Sequence, residues 1–162
     1  MNTVLKTDRV PEEVYESKRL NKLGESNMTA AEVATFNENG GAYRHTDMNR
    51  VGAACAEIYE LLNDAGYAVT GYVPLPTNWT RTMKPTKAQL DTYIATVAAI
   101  KASLPAQTPI PSTWKHLTTE DANNIEKMLI EIDEILARLQ SIYLRSGVFN
   151  SGYQFYAMEA TT

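Results

Sequence analysis

The chain alternates amphipathic segments with proline-rich connections. From Thr119 to Arg145 there is no proline or glycine, and Ile125, Leu129, Ile132, Leu136, Leu139 and Tyr143 recur at spacings of four and three. Met128, Ile135 and Ile142 add a second apolar row. Alternating threes and fours keep side chains on one face of a 3.6-residue helix, so the spacing predicts a long amphipathic helix whose wide stripe must be covered. The same pattern recurs after Thr46, at Val51, Ala54, Cys55, Ile58, Leu61, Leu62 and Ala65, and closes at Gly66, where a left-handed C-terminal residue belongs. It recurs again after Thr86, at Leu90, Tyr93, Ile94, Val97, Ile100 and Leu104, and stops at Pro105.

These three segments predict an all-α fold, a three-helix bundle over residues 42–145 with proline-rich linkers. Its expected core is Val51, Ile58, Leu62, Ile94, Val97, Ile125, Leu129, Ile132, Leu136 and Leu139. The expected caps are Thr46 and Thr86 for the first two helices and Thr118 or, in the preferred reading, Thr119 for the third; Gln89 completes a capping box with Thr86. An aromatic residue precedes each cap: Tyr43, Trp79 and Trp114. Each ring is expected to cover an open end of the bundle. The helices align weakly as a repeat, Asn49-Arg50-Val51 over Asn123-Asn124-Ile125. Those four polar residues are expected to bond linker carbonyls and fix where the linkers cross.

The flanking regions read differently. Residues 1–41 are expected to form an N-terminal arm or short helices, one starting at Pro11-Glu12-Glu13 and one capped by Thr29 with Glu32. The narrow stripe there predicts poor packing. Ser146-Gly147 reads as a helix stop, and residues 146–162 as an aromatic tail forming a short hairpin or an added strand. Val148, Phe149, Tyr153, Phe155 and Tyr156 would be its assembly contacts.

Composition adds little chemistry. The 162 residues carry a net charge of −4 with both signs interspersed, which argues against nucleic acid as a main ligand. No apolar run reaches the ~18 residues of a membrane span, and the N-terminus lacks a signal-peptide core. The single cysteine, Cys55, lies on the apolar stripe and reads as a small hydrophobe. His45 and His116 stand apart in separate linkers, and neither HxxxH nor CxxC spacing is present. Glu57, Glu60, Asp64, Glu131, Asp133 and Glu134 fall mostly between apolar positions and read as a solvated face; Glu134 and Arg138 have the favourable spacing for a weak ion pair. No phosphate loop or nucleophile elbow is found. The expectation is a chain without catalytic, metal-binding or cofactor-binding residues.

Short motifs carry a family resemblance. They are Tyr43 with Thr46-Asp47-Met48-Asn49-Arg50-Val51, Gly66-Tyr67, Trp79 with Pro85-Thr86, Asn123-Asn124-Ile125-Glu126-Lys127, and Ser146-Gly147-Val148-Phe149. Over residues 43–156 the chain resembles short helical proteins of tailed phages and prophages of Gram-positive, often gut-dwelling, bacteria. The resemblance implies a non-enzymatic virion component linked to tail, baseplate, neck or fibre. It would be made in the bacterial cytoplasm and partnered by other virion proteins and by copies of itself. Gly52 departs from the pattern, because such proteins tend to carry an acid there. The competing expectation is a soluble helical adaptor that binds a peptide or partner helix.

Overall fold

The computed structural model describes residues 1–38 and 43–157, with side chains described as far as Ile142 except for Glu25, Asn37 and Glu38. Among the described residues the fold is all-α. Its helices are α1 (Pro11–Leu23), α2 (Ala30–Glu38), α3 (His45–Asp64), α4 (Lys87–Ser103) and α5 (Thr119–Ala157), with a short 3-10 turn at Glu25–Asn27. Helices α3, α4 and α5 pack pairwise on one another, while α1 pairs with α2.

The apolar stripes of α3, α4 and α5 meet in one core. Val51, Ile58, Leu62, Ile94, Val97, Ile125, Leu129, Ile132 and Leu136 are buried, and Leu139 packs against them at the edge. Thr86 is the N-cap of α4: its hydroxyl accepts from Gln89 N–H at 3.3 Å while Gln89 Oε1 accepts from Thr86 N–H at 2.8 Å. Helix α3 ends in a Schellman arrangement. Gly66 takes φ 82°, its N–H bonds Asn63 O at 2.9 Å, and Tyr67 N–H bonds Leu62 O at 2.8 Å.

Two expected caps sit elsewhere. Helix α3 begins two residues early, with Arg44 at the N-cap, because the Asp47 carboxylate reaches back to Arg44 N–H at 2.8 Å. Thr46 therefore lies exposed inside the first turn. For α5 the cap is Thr118, whose hydroxyl accepts from Asp121 N–H at 3.0 Å, and Thr119 is the first helical residue.

The β tail is also corrected. Helix α5 continues through Ser146-Gly147 to Ala157, 39 residues in all. At 1.5 Å per residue it is ~58 Å long, about twice α3. An isolated glycine in a helix costs only ~1 kcal/mol. The apolar positions Ile142, Phe149, Tyr153 and Tyr156 fit helical spacings of seven, four and three, so the segment that resembled a hairpin satisfies the helix equally well. The side chains of Val148, Phe149, Tyr153, Phe155 and Tyr156, and residues 158–162 altogether, lie outside the described residues.

The connections are clamped to the core. Asn49 Oδ1 accepts from Trp79 N–H at 2.7 Å and Asn49 Nδ2 donates to Trp79 O at 2.9 Å, fixing the α3–α4 connection across α3. Thr96 Oγ1 donates to Val73 O at 3.0 Å, and Tyr72 stacks on Tyr59 with centroids 3.9 Å apart. Gly52 is where that connection touches the helix: a Cβ there would lie 3.1 Å from Pro76 O and 3.2 Å from Thr77 Cγ2. An acid at this position has no room unless the backbone of the connection withdraws. Gly52→Asp is expected to lower stability by about 1–3 kcal/mol, the range for overpacking a tight contact, even though glycine is the weaker helix former. Urea unfolding of the variant measures this, and an unchanged midpoint would show that the connection yields freely.

Candidate functional site

The N-terminal segment is the least expected feature. Residues 1–10 form no helix. They run as a strap over α3 and α5, and Met1 and Leu5 pack against the core. Glu57 of α3 accepts from Asn2 N–H at 2.6 Å and from Thr3 N–H at 3.1 Å. Glu126 Oε2 of α5 accepts from Lys6 N–H at 2.5 Å. Asn123 grips Arg9 as a strand neighbour would: its Oδ1 accepts from Arg9 N–H at 3.1 Å and its Nδ2 donates to Arg9 O at 2.9 Å.

Arg9 ends the strap inside the protein, 3% exposed. Its Nη2 donates to Asp47 Oδ1 at 2.9 Å and to Glu126 Oε1. Arg50 approaches the same pair, with Nε 3.0 Å from Glu126 Oε2 and Nη2 2.7 Å from Glu126 Oε1, and it also contacts Asp47 Oδ1. Two guanidiniums thus face two carboxylates, joining strap, α3 and α5. Burial alone would weaken the Arg9 guanidinium as a base. The hydrogen bond and charge of Glu126, aided by Asp47, outweigh burial and raise its pKa above the ordinary value. Arg50 is raised in the same way.

This cluster is poorly suited to acid–base chemistry. Each Glu126 oxygen already accepts two hydrogen bonds. Asp47 Oδ1 accepts from both arginines and its Oδ2 from Arg44 N–H. A general base needs an open lone pair within reach of substrate. Glu126 is taken up on both oxygens, and both Asp47 oxygens are engaged in holding the chain together.

Other candidates fall out similarly. Cys55 is fully buried and desolvation pushes its thiol up to about 12, so thiolate is scarce at neutral pH. Among the described residues no group of three or more His, Cys, Asp and Glu could hold a metal ion. His116 is exposed with φ 63°, and His45 is half-buried as the first residue of α3. Of the acids read as a solvated face, Glu60, Asp64 and Glu134 are exposed, with Glu134 3.6 Å from Arg138. Glu57 and Glu131 are not idle: Glu131 accepts from Gln107 N–H at 2.6 Å and Thr108 N–H at 2.9 Å.

Those bonds have a pH consequence. The Thr3 hydroxyl, with the Asn2 and Thr3 amides, holds the Glu57 carboxyl below its ordinary range, and the Gln107 and Thr108 amides do so for Glu131. A depressed folded pKa contributes stability above the unfolded value of about 4.3 and loses it as pH falls through the folded value. Unfolding free energy should therefore decline from about pH 4 downward. Urea midpoints at pH 5, 4 and 3 should show this, with a shallower decline in Glu57→Gln.

The three lead-in aromatics divide. Tyr43 and Trp114 meet Tyr93 of α4 edge-to-face, with centroids 5.1–6.3 Å apart, and the Tyr43 and Tyr93 hydroxyls share a hydrogen bond. Desolvation drives both phenols well above the ordinary value. Trp79 is instead held by the Asn49 amide of α3. Between it, Trp114 and the α1–α2 pair opens a cleft of about 410 Å³, bordered by Ser17, Lys18, Phe36, Tyr43, Arg44 and Arg81 among others.

Of the polar residues expected to fix the linkers, Asn49 does so, whereas Asn123 holds the strap and Arg50 pairs with Asp47 and Glu126; no role was expected of Arg9 or Glu126. The available signal for Glu126 was its place at the edge of the apolar stripe, one residue past Ile125. Comparison with known protein families, with characterised proteins and with solved structures finds no match to this chain. No helix among the described residues is long and apolar enough to cross a membrane.

Proposed function

We propose that the protein is a non-enzymatic structural or assembly component of a phage virion, acting through protein–protein contacts. In this reading α3, α4 and α5 form a three-helix bundle that serves as a rigid platform, and the far end of α5 is the contact element. One observation supports it above the others. Helix α5 continues fifteen residues past Ile142, itself 60% exposed, to Ala157. Among the residues whose side chains are described, Leu139 is the last of α5 packed against the core. A long helix whose last described apolar residue is exposed, and whose sequence continues with apolar residues at helical spacing, offers surface for another chain. The saturated carboxylates of the Arg9 cluster support a structural role for the site where chemistry would otherwise be sought.

Virion positions are symmetric, so several copies per particle are expected. Mass spectrometry of purified particles from the bacterium carrying the gene should find the chain in multiple copies. Its restriction to the host cell fraction would favour the adaptor reading.

A further inference from the structure

The strap and the helical pair behind it form an arm with its own packing. Helix α1 packs on α2 and on the 3-10 turn, whereas α3, α4 and α5 pack on one another. Leu20 of α1 is fully buried yet is not part of the α3/α4/α5 core. The arm is joined to Tyr43 and α3 by residues 39–42, where the sequence places Gly40-Gly41. Within the strap Met1 and Leu5 reach the core, while Val4 is 85% exposed. Directional polar contacts therefore do most of the holding.

The α3–α5 face beneath the strap is built to receive such a segment. Glu57, Glu126 and Asn123 present oxygens to the N–H groups of Asn2, Thr3, Lys6 and Arg9. Asp47 and Glu126 take the Arg9 guanidinium. The bundle's own cation at these two acids is Arg50. Without the strap, two buried carboxylates would share that one arginine, a costly state. The face thus requires an occupant with spaced amide N–H groups and a guanidinium. Wherever two copies meet, the strap of the second copy has this chemistry residue for residue. Exchange preserves every strap contact, so its cost is that of association alone.

We propose that copies of this chain exchange arms: residues 1–38 of one copy lie on the bundle of another, and Arg9 of one chain completes the Asp47–Arg50–Glu126 cluster of its partner. The inference does not rest on the virion reading, since it uses the α3–α5 face and not the far end of α5.

Shortening the connection tests it. Deleting Gly40-Gly41 removes about 7 Å of reach, which hampers closure of the arm onto its own bundle, whereas a second copy can approach to suit. Two such chains with different affinity tags, unfolded in urea and refolded together, should give dimers carrying both tags by native mass spectrometry. Adding Asn123→Leu, which removes both amide bonds to Arg9, should weaken that dimer about tenfold or more in analytical ultracentrifugation, with an unchanged circular dichroism spectrum. The natural chain gives an independent readout: a minor mixed-tag dimer that grows with protein concentration and is lost in a chain lacking residues 2–10. The proposal is overturned if the shortened chain stays monomeric, if its dimer is indifferent to Asn123→Leu, or if the natural chain forms no mixed dimer even in the most concentrated samples. Loss of the dimer in Ile142→Ala would place the contact on α5 and overturn it as well.

Discussion

Replacing Glu126 with alanine should lower the unfolding free energy by about 3–5 kcal/mol, the cost of removing one partner from a buried ion network. The reason lies in the arithmetic of the cluster. Arg9 and Arg50 would be left with Asp47 as their one carboxylate, and the Arg9 side chain has no exposed surface through which water could compensate. Lys6 N–H loses its acceptor at the same time, so the strap loosens from α5. Arg9→Ala should be costly too, but in the Glu126→Ala background it should cost much less, because the charge it paired with is gone. Urea unfolding of the four proteins gives the coupling. Additive effects would mean that the two residues act independently and that the strap is held by its backbone contacts alone.

The second large effect is a contrast between two isoleucines. Ile58 is 0% exposed at the centre of the α3/α4/α5 core, and Ile58→Ala should cost about 2–5 kcal/mol through lost burial and the cavity left behind. Ile142 is of the same type but 60% exposed on α5, and Ile142→Ala should change stability by no more than about 0.5 kcal/mol. Under the proposed function the ranking reverses for assembly. Ile142→Ala should fold normally yet enter particles less efficiently, because its surface is reserved for a partner. Thermal melts and particle incorporation, measured side by side, separate the two roles. A large stability loss at Ile142 would mean that the far part of α5 folds back on its own chain.

Much of this fold was legible because helical periodicity is a local signal. The stripes of α3, α4 and α5 can be read one segment at a time, and Thr86 with Gln89 or Gly66 after Ala65 mark ends through contacts only a few residues apart. Where the start of α3 was misplaced, two local solutions competed. Thr46 is a good cap by type, but Asp47 reaches Arg44 and also serves Arg9, a residue 38 positions away. The tail was misread because Ser146-Gly147 looks like punctuation, whereas a helix extended from a long nucleus tolerates a glycine.

The strap was invisible for a different reason. Residues 1–10 have no periodicity, and their order comes from contacts 54 to 120 positions distant: Thr3 with Glu57, Lys6 with Glu126, Arg9 with Asn123. No single segment contains that information. The polar residues flagged at the helix starts were a partial trace of it. Asn49 grips the α3–α4 connection and Asn123 grips the strap, each with both ends of its amide. The cleft was illegible for the same reason, since Lys18, Phe36, Arg44 and Trp79 converge only once α1 and α2 are set against α3.

The central functional claim is that this chain joins a larger assembly through the end of α5. Competition tests it most directly. Full-length chain and a chain ending at Ser146, carrying different tags, are produced together in cells making particles, and both are quantified by mass spectrometry in the cell extract and in purified particles. The account predicts both forms folded and abundant in the extract, with the full-length form strongly enriched in the particles. Equal representation of the two forms in particles would contradict it.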